Sequence, residues 1–255
     1  MQKRCLLVRF STLVLLLIGF MTADATTDPQ SGFYLDLGVG VAYYSQPGAG
    51  DINVVPGFQT DHYSAAHVSS GVLETELSAG YQIGMKHFWF PYINLGITFA
   101  NQANANVNGN DYLEFQLPEF NNYSYQYNIK SWQLFASVKT DIVEWHGLAP
   151  YISAGLGFSQ NMASGYIATP KAPIVQPGLV YANKTTANFA WRVGLGLDYH
   201  VTPLMTLYTG YEYSDLGDAY LGSAETASGS TGRGPGQHLA TNVWLFGFTY
   251  TFGHY

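Results

Sequence analysis

Cysteine is almost missing from the 255-residue chain: Cys5 is the only one, and it stands ahead of an N-terminal apolar run. Neither a disulfide framework nor a thiolate site is therefore expected in the rest of the chain. Charge is scarce as well, at 11% of residues, against roughly 25% in a typical soluble protein. Basic residues are the scarcer sign, ten Lys and Arg against 17 Asp and Glu. That balance argues against nucleic acid as a partner, because phosphate backbones are held by cationic side chains. Long apolar runs do not occur beyond the first residues, and the mean hydropathy of +0.01 is too low for a bundle of membrane helices, each needing ~20 mostly apolar residues. Aromatics, by contrast, are plentiful: 20 Tyr, 15 Phe and 5 Trp exclude a disordered chain.

Residues 1–25 have the pattern of a cleaved secretory signal peptide. Lys3, Arg4 and Arg9 form a basic start, Leu13 to Met21 is apolar except for Gly19, and Ala23-Asp24-Ala25 places small residues where a signal peptidase reads. The apolar run is too short for a spanning helix. The expected domain is then 26–255.

Its main signal is period two, the repeat of a strand with two different faces. Phe33, Leu35, Leu37, Val39, Val41 and Tyr43 alternate with Tyr34, Asp36, Gly38, Gly40, Ala42 and Tyr44. The split recurs at Leu73 to Ile83, with Glu74 and Glu76 on the polar side, and at Phe189 to Tyr199, with Arg192 and Asp198 on it. Near the end Trp244, Phe246, Phe248, Tyr250 and Phe252 make an all-aromatic face. Eight strands are expected, near 33–44, 68–83, 88–100, 125–142, 149–160, 187–201, 205–215 and 239–252. Tyr127 and Ile129 run out of phase with Leu134, Ala136 and Val138, which predicts a bulge in the fourth. Tight connections at 84–87, 143–148 and 202–204 alternate with long ones at 45–67, 101–124, 161–186 and 216–238. This is the arrangement of an antiparallel up-and-down sheet.

A closed sheet of eight strands can keep its oily face inside around a ligand or turn it outside to lipid. Side-chain size decides between them. Phe, Leu, Trp and Tyr on nearly every strand exceed what the bore can hold, whereas the glycines, serines and charges of the other face fit it. In hydrocarbon Arg192 alone would cost roughly 2–4 kcal/mol. The predicted fold is therefore all-β, an eight-stranded antiparallel up-and-down transmembrane β-barrel, with every backbone polar group paired and no sheet edge. Tyr43, Tyr44, Tyr125, Tyr127, Tyr211 and Tyr213 toward the long connections, and Trp89 and Trp145 toward the tight turns, are expected at the two headgroup levels.

Phe189-Ala190-Trp191-Arg192-Val193-Gly194-Leu195-Gly196-Leu197-Asp198-Tyr199, Gly210-Tyr211-Glu212-Tyr213-Ser214-Asp215-Leu216-Gly217 and the closing aromatic strand together resemble the small outer-membrane barrel proteins of Gram-negative bacteria, the OmpA-type transmembrane, OmpX and opacity-protein barrels. The resemblance covers all of 26–255. It implies an outer-membrane location, lipid and lipopolysaccharide as surroundings, and a final strand, Trp244 to Phe252, read by the barrel assembly machinery. Gly253-His254-Tyr255 follow that alternation, so the residue that ends the signal stays open.

Asp36, Glu74, Glu76, Lys139, Arg192, Asp198 and Glu212 are expected to converge in the lumen. They form either an ion-paired plug that fills the barrel and fixes its register or the lining of a narrow ion path. Gly38, Gly40, Gly155, Gly157, Gly194 and Gly196 lie in strands facing inward, where they make room rather than cradle phosphate. His62 and His67, five apart in the first long connection, read as solvated rather than metal-binding. His238-Leu239-Ala240 lacks the hydroxyl of a lipid-deacylating His-x-Ser. No catalytic residue, metal or cofactor is expected. The predicted role is non-enzymatic: a monomer serving envelope structure and surface interaction or adhesion, with a host or surface ligand met by the long loops. A porin-like ion or solute channel is the alternative.

Overall fold

The computed structural model describes residues 29–45, 50–55, 59–68, 71–86, 89–113, 121–171, 178–226 and 229–253; the expected signal peptide lies outside them. In chain order the strands are β1 (Gly32–Tyr44), β2 (Gly50–Val55), β3 (Gln59–Val68), β4 (Val72–Gly84), β5 (Tyr92–Tyr112), β6 (Asn121–Asp141), β7 (Leu148–Pro170), β8 (Lys184–Thr202), β9 (Met205–Tyr220), β10 (Glu225–Thr226), β11 (Gly229–Ser230) and β12 (Gly236–Gly253). Eight of them close a ring in the order β1-β4-β5-β6-β7-β8-β9-β12, every neighbour antiparallel. The first strand pairs with the last from Gly32↔Gly253 to Tyr44↔Thr241. Closure of this kind leaves the ring without an edge, as hydrocarbon requires.

The outward face is apolar because the alternation puts it there: Phe33, Leu35, Leu37, Val39 and Val41 on β1 and Phe189, Val193, Leu195 and Leu197 on β8 are all exposed. Trp89 and Trp145, 60% and 71% exposed, stand by the tight turns, on the same end as Gly32 and Gly253. The opposite end departs from expectation. β5, β6 and β7 have 21, 21 and 23 residues, about twice the ~9–11 that cross a bilayer. Much of 101–124 and 161–186, expected as loop, instead continues the sheet, and the β2–β3 hairpin adds to it through β3 and β5. Asparagine hid the strand. Asn104, Asn106, Asn108 and Asn110 stand between Ala105, Val107, Gly109 and Asp111, and the second set is buried.

The expected bulge in β6 is also corrected. Tyr123, Tyr125, Tyr127, Ile129, Ser131, Gln133 and Phe135 are all buried on one unbroken inner face. What changes along β6 is the chemistry of that face, polar within the bilayer and apolar above it. Along that face the register shifts fall in its neighbours, between Gln102 and Ala105 on β5 and opposite Gln126/Asn128 on β7, where Gly165 takes φ +70°, as a bulge with a left-handed residue demands; a further shift, at Asp111/Tyr112, leaves its extra residue, Asn122, at the start of β6. Tyr125 and Tyr127 thus leave the headgroup level assigned to them. With Val107, Ile129, Leu216, Leu221 and Leu239 they form an apolar core outside the membrane.

Candidate functional site

Seven polar residues predicted for the lumen come from five strands, and the structure places each on the inner face. Arg192 on β8 reaches across the bore. Its Nη1 donates to Glu76 Oε1 on β4 and to Glu212 Oε2 on β9, the latter at 3.0 Å, while Nη2 lies 3.4 Å from Ser137 Oγ on β6. The guanidinium stacks 4.9 Å from the Phe135 ring centroid, so it is held on its face as well as its edge. Glu74 accepts from Gln102 Nε2. Nearer the tight turns, Lys139 Nζ lies 2.7 Å from Asp198 Oδ1 and sits 4.2 and 4.4 Å from the rings of Tyr151 and Tyr208. Asp36 accepts from Tyr208 Oη at 2.9 Å and Thr249 Oγ1 at 2.6 Å.

Sequence reasoning missed a second pair below these. His200 Nε2 is 2.8 Å from Asp141 Oδ2, with Thr206 Oγ1 2.9 Å from Nδ1 and the Tyr92 ring centroid 4.4 Å away, tilted by 31°. The signal was present: Asp141 is two residues from Lys139 and His200 two from Asp198, so each shares its neighbour's face. The free space left among Asp36, Glu76, Lys139, Tyr151, Arg192, Tyr208 and Glu212 is about 50 Å3, room for a few waters at about 10–15 Å3 each.

The inward glycines set how closely this packing fits. A Cβ on Gly38 would stand 2.6 Å from Tyr208 Oη and 3.4 Å from Glu76 Cβ. Gly38→Ala is therefore expected to push Tyr208 off Asp36 and lower unfolding free energy by about 1–3 kcal/mol, the usual cost of overpacking. A urea titration in lipid checks it, and an unchanged midpoint would show that the tyrosine has room to yield.

Above the bilayer a different site forms. Asp111 on β5 and Asp61 on β3 are both buried, facing the tyrosine core, and Asp111 Oδ1 has no hydrogen-bond partner. Burial, reinforced by the charge of Asp61, pushes the Asp111 carboxyl from its ordinary 3.8 up to about 7, a hydrogen bond with Tyr63 opposing. The folded chain then holds a proton that the unfolded chain has released. Its contribution to stability is therefore full at and below about pH 4, falls as pH rises to about 7, and then levels off. Asp111→Asn should flatten that slope, as urea midpoints at pH 4 and 8 would reveal; an equal slope in variant and parent would place the effect elsewhere.

At the mouth, bounded by β2, β3, β6, the end of β9 and residues 232–240, lies a chamber of about 600 Å3. His238 is on its rim, outward, with Asp215 and Asp218 each 3.0 Å away. His62 pairs with Asp51; the side chain of His67 lies outside the described residues. On β12 the predicted assembly strand turns Trp244, Phe246, Phe248, Tyr250 and Phe252 outward; His254 and Tyr255 lie outside the description.

A family model described as outer membrane protein beta-barrel domain matches residues 12–252. Outer membrane protein PagN of Salmonella typhimurium is 24% identical over 240 residues, covering 90% of this chain and 93% of PagN. OprG from Pseudomonas aeruginosa, a solved structure, is 13% identical with a TM-score of 0.45, covering 89% of this chain and 98% of that one. Neisserial surface protein A is 14% identical with a TM-score of 0.42, covering 87% and 99%. The likeness to these two is one of fold.

Proposed function

Because this chain belongs to the outer-membrane β-barrel family and so resides in the bacterial outer membrane, we propose that it is a non-enzymatic barrel that meets other surfaces with its extracellular end, in adhesion, while its lumen is a structural plug. One observation carries this reading. About half of β5, β6 and β7 lies beyond the bilayer, ordered around an apolar core, a length that crossing lipid does not require. A rigid scaffold carrying variable loops is the usual build of a contact surface. The filled bore supports the plug, since the two cations are each shared with carboxylates and the space left is small.

Three further expectations complete the reading. Residues 1–25 export the chain and are removed. The outward aromatics of β12 are read by the assembly machinery, and pairing of first with last strand favours a monomer amid lipid and lipopolysaccharide.

Cells expressing the protein should adhere to host cells or to serum-coated surfaces, and should lose this when the tips of the 101–124 and 161–186 hairpins are shortened. Undiminished attachment would remove the adhesion role and leave the barrel intact. The porin-like alternative has its own test in planar bilayers. The plug predicts no steady single-channel steps; steps that vanish with Glu76→Gln would establish a conducting lumen instead.

A further inference from the structure

Followed away from the tight turns, the outward side chains of β6 change chemistry in one direction. Ala136 and Leu134 come first, then Trp132, then Lys130, then Asn128, Gln126 and Ser124. Trp132 has Phe99 of β5 at 6.3 Å and Phe158 of β7 at 5.8 Å, so three rings span three strands at the level where aromatic girdles meet headgroups. Lys130 stands two residues beyond, about 6–7 Å along the strand. It is exposed and forms no ion pair among the described residues. Above it the wall turns to neutral amides. Asn104 and Gln126 are exposed and Asn108 is half-buried, and none of the three makes a side-chain hydrogen bond among the described residues.

Charge around the ring singles out this wall. β5, β6 and β7 contain two carboxylates between them, Asp111 and Asp141, and both are buried. An anion approaching from the side therefore meets Lys130 with no outward acid on the three strands. On the far side of the ring Asp215 takes the corresponding place, two residues beyond the outward Tyr213, and with Asp218 it flanks His238 at 3.0 Å. Two carboxylates about one imidazole repel an anion there.

A ligand that follows this wall needs acyl chains, then a phosphate, then uncharged hydroxyls that donate and accept. Lipopolysaccharide has its parts in that order. A phospholipid supplies the first two and nothing for the amides beyond; a free saccharide has no acyl chain for the hydrocarbon level.

We propose that the outward wall of β5, β6 and β7 docks one lipopolysaccharide molecule, with its acyl chains along Leu134 and Phe158, a phosphate on Lys130 and the first sugars of its chain on Asn104, Asn108 and Gln126. The proposal rests on the barrel lying amid lipopolysaccharide and places the contact.

The test titrates the full barrel in detergent with phosphatidylglycerol, with lipid A and with a short-chain lipopolysaccharide that carries its inner sugars, and counts bound molecules by native mass spectrometry. One lipopolysaccharide per barrel should bind at least tenfold more tightly than phosphatidylglycerol, with lipid A between them. Lys130→Gln should weaken lipid A and lipopolysaccharide alike by about tenfold, the scale of one charge-assisted contact. Asn108→Ala combined with Gln126→Ala should weaken lipopolysaccharide and leave lipid A unchanged. Arg233→Gln, which removes the same charge from the guanidinium stacked on Tyr220, should alter neither. All these side chains lie outside the lumen and the buried core, and a parent-like mobility shift on heating checks that each variant folds. Phosphatidylglycerol bound as tightly as lipopolysaccharide, Lys130→Gln binding as the parent does, Arg233→Gln weakening as much as Lys130→Gln, or the double variant keeping parental lipopolysaccharide affinity would each overturn the proposal. Failure of the premise would appear separately, as cell fractions in which the barrel and lipopolysaccharide do not sediment together, and would remove the proposal with it.

Discussion

Arg192→Met should lower the unfolding free energy of the lipid-embedded barrel by roughly 3–5 kcal/mol, the cost of removing one partner from a buried ionic network. Methionine fills much of the same space, so the effect is electrostatic. Glu76 and Glu212, both buried, lose the guanidinium they share, and Glu74, two residues from Glu76 on the same face, loses a nearby positive charge. The loss should be partly reversed by Glu76→Gln and Glu212→Gln on the same background, since the penalty lies in the orphaned carboxylates rather than in the missing cation. Arg192→Lys should fall between, because a single ammonium cannot present a flat fork to two carboxylates while stacking on Phe135. Urea midpoints in lipid bilayers measure all of these. A midpoint unmoved by Arg192→Met would mean that the carboxylates are already neutral or hydrated, and the plug would have to be abandoned.

One residue further along β8 the sign of the same side chain reverses. Val193 is the midpoint of the outward run Phe189–Leu197 and is 46% exposed on the barrel's surface, where lipid would cover it. Val193→Arg should cost roughly 2–4 kcal/mol, as a guanidinium near the bilayer midplane does on other barrels. The contrast is sharp because only the strand's pleat separates position 192 from 193. Folding into bilayers, followed by the mobility shift between heated and unheated samples, would register the loss. A variant as stable as the parent would place Val193 in water.

Much of this was legible in the sequence, and the reasons are local. Alternation along Phe33–Tyr44 and Phe189–Tyr199 marks strands with two faces, and the size of Phe and Trp against Gly decides which face fits inside. The same alternation puts Asp36, Glu76 and Arg192 on one face. It cannot say that Arg192 divides itself between Glu76 and Glu212 while Lys139 turns to Asp198, since those partners depend on how eight strands stagger around the ring. The extracellular end was harder to read. Asparagine and glycine at 101–110 have the composition of a loop, yet they form strand because Ala105 and Val107 meet Tyr127 and Ile129 across β5 and β6. The oily inner face of Tyr125, Tyr127 and Ile129 looked like a break in phase. It is an ordinary protein core that begins where lipid stops, and only tertiary packing distinguishes the two.

The inverted arrangement of faces can be measured directly. Cys5 is the one native cysteine, so in a Cys5→Ser background, single cysteines at positions 189–197 can each carry a nitroxide label in reconstituted bilayers. Collisions with oxygen, which concentrates in hydrocarbon, should be frequent at 189, 191, 193, 195 and 197 and rare at the even positions between them. Equal collision rates along the strand, or the opposite phase, would contradict a barrel that faces lipid with its apolar side.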